Sequence, residues 1–206
     1  MTIFDRIVLL LTGLVLIYMI WYFVNKQKNS ETAGTFNLYY IVSFLVFLVA
    51  GLILIFAGWG ALANNFVAVV AGLIPFSLAT GLMTKYHEEY SKNYLYLMVI
   101  GLVLITVSRY GEMSWGSIVY PVFHATAGLT IFFVPIMAVK AGKAAGQFIY
   151  VTVGGTLISL GGIALAFLKA GGQLLFFSQD FVLLILAPLL FLTALFFSLG
   201  LLKEEN

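Results

Sequence analysis

One long uncharged stretch decides the fold: residues 32–84 read TAGTFNLYYIVSFLVFLVAGLILIFAGWGALANNFVAVVAGLIPFSLATGLMT and contain no Asp, Glu, Lys or Arg. A membrane-crossing helix needs about 20 mainly apolar residues, because the hydrocarbon layer is about 30 Å thick, so this stretch is too long for one helix. Turn-forming residues interrupt it near its middle: Trp59, Gly60, Asn64 and Asn65. The stretch therefore predicts a pair of spanning helices, with one span plus a re-entrant segment as the alternative.

The composition extends this conclusion to the whole chain. Of the 206 residues, 63% are hydrophobic and 9% are charged, and the mean hydropathy is +1.10. A soluble domain has about 45–50% apolar and about 25% charged residues. So few charges cannot cover the surface of a soluble protein of this length. A net charge of +2 without a Lys/Arg cluster excludes a nucleic-acid-binding surface, and the absence of Cys excludes disulfides and thiolate metal sites.

Uncharged runs elsewhere in the chain predict further helices. We expect one membrane domain, an all-α integral membrane protein built as a bundle of seven transmembrane helices. The spans are expected at about residues 5–24, 37–59, 62–84, 93–109, 116–139, 146–168 and 180–202. The first run is interpreted as an anchor rather than a cleaved signal peptide, because no small-x-small cleavage pattern follows Val24.

The distribution of Lys and Arg predicts the orientation, because positive residues are retained on the cytoplasmic side of a membrane. One side of the predicted bundle carries seven of them: Lys26, Lys28, Lys85, Lys92, Lys140, Lys143 and Lys203. The other side carries three: Arg6, Arg109 and Lys169. We therefore expect the N-terminus outside and the C-terminus in the cytoplasm, and we expect the plasma membrane as the location.

The sixth span carries small residues at three- and four-residue spacing: Gly154, Gly155, Ser159 and Gly162. In lipid the hydrophobic effect contributes little between helices, so close backbone approach at small residues drives their association. We expect this face to pack against neighbouring helices and the sixth helix to lie centrally. A gating or sliding helix is the alternative.

A faint internal repeat relates the third and seventh spans. Residues 73–82, LIPFSLATGL, and residues 186–195, LAPLLFLTAL, match at the first Leu, the Pro, the Thr and the last Leu. The two spans would run in the same direction, as a parallel repeat of three helices on either side of a linker helix requires. Chance agreement between two leucine-rich segments is the alternative.

Ionisable groups inside a spanning helix are costly, so they are the first place to look for function. His124 lies in the fifth span, about 12 Å from its outer end at 1.5 Å per residue, with Tyr120 one turn earlier. Topology brings Arg109, Glu112 and Asp180 to the same outer end. We predict that these residues form an outward-facing binding pocket with His124 as its floor. In the alternative, His124 bonds Tyr120 or a facing hydroxyl for packing, while Arg109 pairs with Glu112 or Asp180.

The sequence predicts no cofactor and no metal site. His87 is expected in a cytoplasmic loop and His124 near the outer side, so the two cannot ligate one haem, although a haem held by His124 alone stays open. His87 with Glu88 and Glu89 is interpreted as a solvated loop. The last span lacks the Lys that retinal needs, and no span interior carries the Asp pair of an intramembrane aspartyl protease.

These observations leave two functional hypotheses. Short loops and the absence of a catalytic motif favour a non-catalytic subunit or accessory factor of a larger membrane complex, such as an energy-transducing one. Its partners would be the lipid bilayer and other membrane subunits or further copies of itself. The alternative is a small-solute transporter or channel that uses the pocket around His124. An enzyme acting on a lipid through Tyr120, His124 and Glu112 comes third, because no catalytic motif supports it.

Overall fold

A computed structural model describes residues 1–29, 31–169 and 178–204, and the side chains of these residues except those at 161, 163–169 and 179. Its helices are α1 (Ile3–Lys28), α2 (Thr35–Ala57), α3 (Asn65–Tyr86), α4 (Glu88–Tyr110), α5 (Gly116–Lys140), α6 (Ile149–Lys169) and α7 (Gln179–Leu202). The prediction of an all-α fold with seven helices is confirmed. Six of these helices are long and apolar enough to cross a membrane, and the fully described part of α6, which ends at Leu160, is also apolar. The architecture is that of a multi-pass membrane protein.

The uncharged stretch forms two separate helices, as predicted. α2 ends at Ala57 and is followed by Gly58, whose φ of 72° is a conformation that favours glycine. A 3₁₀ turn, Trp59–Ala63, follows. The side chain of Asn64 then caps α3 by accepting hydrogen bonds from the backbone N–H groups of Phe66 (2.9 Å) and Val67 (3.3 Å). Since α2 and α3 are each full-length helices, the re-entrant alternative is wrong.

The boundary of α4 differs from the prediction. The helix begins at Glu88 rather than near residue 93, so His87 alone separates α3 from α4. Glu88 and Glu89 are exposed, as predicted, but they belong to the helix and not to a loop. Glu88 and Glu89 lie in the first helical turn, where carboxylates interact favourably with the helix dipole. A predicted span that excludes charged residues is therefore shorter than the helix, which begins with two of them. The start of α6 also differs, because residues Gly146–Phe148 form a 3₁₀ turn before it.

Six helices close a ring in the order α1, α2, α3, α5, α6, α7, with α7 packed against α1. α4 lies outside the ring and packs against α3 and α5. The ring consists of two sets of three consecutive helices, which we call the first unit (α1 to α3) and the second unit (α5 to α7). Each unit contacts the other in the same way, because the first helix of one unit packs against the third helix of the other.

α3 is enclosed on all sides over part of its length. All residues from Phe76 to Leu82 are buried, and seven consecutive positions cover every face of a helix. α6 packs against α5 and α7 only, as far as the described residues show, so the prediction that it lies centrally is wrong. Small residues allow close approach between two helices, but they do not determine how many neighbours a helix has.

Buried hydroxyl groups join neighbouring helices in both units. Ser43 of α2 donates a hydrogen bond to the carbonyl of Ile74 in α3 (2.8 Å). Thr152 of α6 donates to the carbonyl of Phe132 in α5 (2.9 Å). Such bonds between membrane helices contribute about 0.6 kcal/mol each on average. They supplement the close packing of side chains.

The alternating helices place the connections at two ends of the bundle. At end A, α1 begins and α2 joins α3, α4 joins α5, and α6 joins α7. At end B, α1 joins α2, α3 joins α4, α5 joins α6, and α7 ends. End B carries the larger set of Lys residues and is the end predicted to be cytoplasmic. The side chain of Lys169, counted for end A, lies outside the described residues.

Candidate functional site

Three of the predicted site residues stack in a column near end A. The guanidinium carbon of Arg109, in the last turn of α4, lies 4.9 Å from the ring centroid of Tyr120. The Tyr120 ring stacks on the imidazole of His124, one turn further along α5, with 5.4 Å between centroids and 17° between planes. A guanidinium over a tyrosine face is a favourable cation–π contact. We call Arg109, Tyr120 and His124 the end-A column.

Tyr120 and His124 lie on the face of α5 that is turned away from the exposed surface of the bundle. The side chains of α5 that are most exposed form a stripe at three- and four-residue spacing: Ile118, Val122, Leu129, Phe133 and Met137. At 100° per residue, Tyr120 and His124 lie on the opposite side of the helix from this stripe. Both are half-buried. His124 also approaches α6, since a Cβ at Gly162 would lie 3.6 Å from its Nε2 atom.

Asn65, the first residue of α3, fixes the position of Arg109. Its side-chain Nδ2 donates to the Arg109 carbonyl oxygen (3.3 Å), and Arg109 Nη1 donates to its Oδ1 (3.5 Å). The sequence identified Asn65 only as a turn former. Because the two residues are 44 positions apart, no local pattern connects them. Asn65 therefore joins the end-A column as a residue that sequence reasoning missed.

Two polar atoms of the column are available to a bound molecule. Arg109 Nε and His124 Nδ1 are buried, and neither has a hydrogen-bond partner among the described residues. Buried polar groups in proteins are nearly always hydrogen-bonded, and one left without a partner costs about 1–3 kcal/mol. The guanidinium Nε can only donate, whereas a neutral imidazole can donate or accept. The column therefore presents groups suited to a polar or anionic molecule.

The other predicted site residues do not join the column. Glu112 is exposed and has a positive φ of 49°, in the short connection between α4 and α5. Asp180 is exposed in the first turn of α7. Within the described part of the chain, Arg109 forms no ion pair with either of them, so the predicted pairing is wrong. Asp5, at the same end, caps α1 by accepting from the backbone N–H of Thr2 (2.7 Å).

The predicted packing residues of α6 lie where helices approach closely. A Cβ at Gly154 would lie 2.7 Å from the Phe197 ring of α7. A Cβ at Gly155 would lie 2.7 Å from Ile131 of α5. The hydroxyl of Ser159 would lie 3.3 Å from a Cβ at Gly128. These distances leave no room for larger side chains at the first two positions.

A second polar cluster, at end B, was not predicted. Glu204 is 2% exposed, and its carboxylate accepts from the Lys85 ammonium (2.8 Å) and from the Tyr86 hydroxyl (2.6 Å). Its backbone carbonyl accepts from the N–H of Ala145 (3.1 Å). We call Lys85, Tyr86 and Glu204 the end-B cluster. Glu204 lies among charged residues after the last span, where a sequence reads as a solvated tail.

Two clefts among the described residues lie away from the column. One, of about 110 Å³, is an apolar cleft between α1 and α2. The other, of about 410 Å³, is open and lies between the end of α3 and α5, beside Met83, His87 and Met137. Neither includes His124, so the pocket expected around it stays a prediction. In the described part of the chain, no three His, Asp or Glu side chains come together around a possible metal position, and haem binding by His124 stays untested.

Comparisons with protein-family models, with curated proteins and with solved structures found no match to this chain. The class of protein therefore follows from the fold alone. It is a multi-pass helical membrane protein whose ring of two three-helix units carries one polar site near each end.

Proposed function

We propose that the protein transports a small polar or anionic solute, which binds near end A, where α3 of the first unit meets α5 of the second unit. The end-A column would supply the contacts: the Arg109 guanidinium for negative charge and the His124 imidazole for a hydrogen bond. This is the alternative that the sequence left open. The geometry favours it over a non-catalytic subunit for the reasons that follow.

The observation that carries the proposal is the direction of Tyr120 and His124 on α5. They lie opposite the exposed stripe, on the side of α5 that packs against its neighbouring helices. Ionisable and polar side chains that face the interior of a membrane bundle typically mark substrate or ion pathways, because their insertion costs free energy. A buried Nδ1 with no described partner adds a hydrogen-bonding group at that point.

The arrangement of the two units gives further support. Pro75 of α3 and Pro188 of α7 are each followed, five residues later, by a buried Thr. Thr80 donates to the carbonyl of Phe76 (2.7 Å) and Thr193 to that of Leu189 (2.8 Å), which in each helix is the residue after the proline. Some transporters are built from parallel repeats and bind their substrate at the interface between the repeats. Other helical Thr residues of the chain, such as Thr84 and Thr106, make the same bond, so the internal repeat is supported by the matched Pro and Thr positions rather than by the bonds.

The subunit hypothesis stays a prediction. It requires stable partner chains, and the exposed faces of the described helices are apolar in the way that lipid contact alone requires. The two hypotheses differ in a simple observable. A transporter should work in liposomes as the purified chain, whereas a subunit should be recovered from its native membrane with partner chains in fixed ratio.

The test is uptake into liposomes that contain only this chain. A panel of labelled monocarboxylates, amino acids and inorganic anions would be screened against the native sequence. We expect His124→Ala to reduce uptake of the active solute about ten- to hundredfold, since a hydrogen bond to a charged partner is worth about 1.5–3 kcal/mol. Thr156→Ala is the matched control, because Thr156 is exposed and bonds only the carbonyl of its own helix.

The result that would overturn transport is equally direct. If no panel member is taken up, and mild solubilisation recovers the chain with partner proteins at fixed stoichiometry, the subunit hypothesis replaces the transporter. Equal uptake by the native chain and His124→Ala would remove the end-A column from the transport site.

A further inference from the structure

We infer that the end-B cluster is a gate: the contact of Lys85 and Tyr86 with Glu204 closes the ring at end B and separates when the interior opens to that side. The inference rests on the proposed transport function, since a gate implies that something passes. It concerns residues that lie at the opposite end of the bundle from the end-A column.

The position of the cluster in the ring is the first argument. α3 and α7 occupy opposite places in the six-membered ring, and within the described residues they share no extended helix–helix interface. The 2.8 Å ion pair between Lys85 and Glu204 nevertheless joins the ends of these two helices. The backbone bond from Ala145 brings in the connection between α5 and α6. The cluster thus spans the ring rather than one helix pair.

The two halves of α3 differ in burial, and this is the second argument. From Phe76 to Leu82, towards end B, every residue is buried. From Val67 to Ala71, towards end A, every residue is half-buried. The ring is therefore tightly closed on the side of the cluster and looser on the side of the column. We expect this difference in packing in a transporter whose binding site lies near end A and whose ring is closed at end B.

The chemistry of the contact suits a reversible closure. A buried ion pair adds little net stability, because desolvation of both charges offsets their attraction, but it holds a defined geometry. On opening, water can hydrate both groups at the membrane surface. The Lys85 ammonium also lies 4.8 Å from the centroid of the Phe36 ring of α2, a favourable contact that it makes at the same time as the ion pair.

Cysteine accessibility can test the gate, because the chain contains no Cys of its own. The reporter is Ser198→Cys on α7, a nearly isosteric change at a residue that is 4% exposed. Ser198 lies four residues before the end of α7 at Leu202, about 6 Å along the helix at 1.5 Å per residue. Ala33→Cys, in the exposed connection at end B, is the control for reagent access. A membrane-impermeant maleimide would be applied to vesicles of each orientation.

We expect Glu204→Gln to raise the labelling rate of the reporter from the end-B side about tenfold, equivalent to about 1.4 kcal/mol less stabilisation of the closed state. The charge-swapped pair Lys85→Glu with Glu204→Lys should return the rate towards that of the native pair. Lys203→Gln, which changes the neighbouring exposed charge, should leave it unchanged. Thermal unfolding of each variant in detergent would show that the bundle remains folded.

Two results would overturn the gate. One is an unchanged labelling rate in Glu204→Gln, and the other is an equal increase from both sides of the membrane, which would mean general loosening. The labelling experiment needs no solute, so it fails separately from the transport proposal. Sided labelling together with no uptake and with partner proteins at fixed stoichiometry would show that end B closes in a chain that is not a transporter, whereas uptake with no labelling response would remove the gate alone.

Discussion

The end-A column and the end-B cluster are built from similar residues but differ in how their polar groups are satisfied. In the column, Arg109 and His124 each keep a buried nitrogen without a described partner, and the ring around them is loose. In the cluster, both donors meet the carboxylate of Glu204 at 2.6–2.8 Å, and the ring is tightly packed. The difference indicates a site for a ligand at one end and a contact that closes the bundle at the other.

The largest effect is expected from breaking the end-B cluster. Glu204→Ala removes the carboxylate that both the Lys85 ammonium and the Tyr86 hydroxyl contact, and removing one partner of a buried ion pair costs about 3–5 kcal/mol. The measurement is the free energy of unfolding in detergent micelles. The double variant Lys85→Met with Glu204→Leu should recover most of this loss. If Glu204→Ala unfolds like the control Lys203→Gln, the ion pair does not hold the ends together.

The next effect concerns close packing near the column. Gly155→Ala would place a Cβ 2.7 Å from Ile131, so we expect a loss of about 1–3 kcal/mol from overpacking. Gly162→Ala would place its Cβ 3.6 Å from His124, which is an ordinary contact, so we expect a change below about 1 kcal/mol. Thermal unfolding of the two variants side by side is the measurement. Equal losses would mean that α6 does not approach α5 as closely as described.

A smaller effect tests whether the two units are equivalent. Thr80→Val and Thr193→Val each remove one buried hydroxyl that bonds the carbonyl after a proline. We expect each to cost about 0.5–1.5 kcal/mol, the net value of a typical hydrogen bond. The two losses should agree within error when unfolding is measured under the same conditions. A large loss in one helix and none in the other would argue against the internal repeat.

The smallest effect is expected at the link between α3 and α4. Asn65→Ala removes two long, exposed hydrogen bonds to Arg109, so the loss should be no more than about 0.5 kcal/mol. Asn93→Ala, exposed on α4, is the control. We expect Asn65→Ala to reduce solute uptake more than it reduces the free energy of unfolding, because Arg109 would lose a side chain that positions it over Tyr120. A destabilisation comparable to that of Glu204→Ala would contradict the comparison of the two ends.

The sequence predicted the helices because lipid imposes a simple rule on composition and length. Residues 32–84 had to form two helices once their uncharged length was compared with the thickness of a membrane. The same rule failed at Glu88 and Glu89, because it treats every charge as a helix boundary, whereas a carboxylate is favourable in a first helical turn. At the start of α4, the favourable interaction of these carboxylates with the helix dipole extends the helix beyond the uncharged run.

The candidate site was predicted only where neighbours lie on one helix. Tyr120 and His124 are one turn apart, so helical geometry alone places them on one face. The contact between Lys85 and Glu204 joins residues 119 positions apart, and the inward packing of α3 depends on how the whole ring closes. For the same reason the ion pair expected between Arg109 and Glu112 or Asp180 does not form among the described residues: a shared membrane side does not make residues neighbours.

The place of α4 outside the ring has a bearing on how this chain is inserted into a membrane. The six ring helices pack without it, but its single crossing reverses the direction of the chain between the two units. Without that crossing, the second unit would be inserted in the opposite orientation. The helix α7, which carries Pro188, would then run antiparallel to α3, which carries Pro75. A peripheral helix that packs against only two neighbours therefore determines whether the two units of the chain are inserted with the same orientation or with opposite orientations.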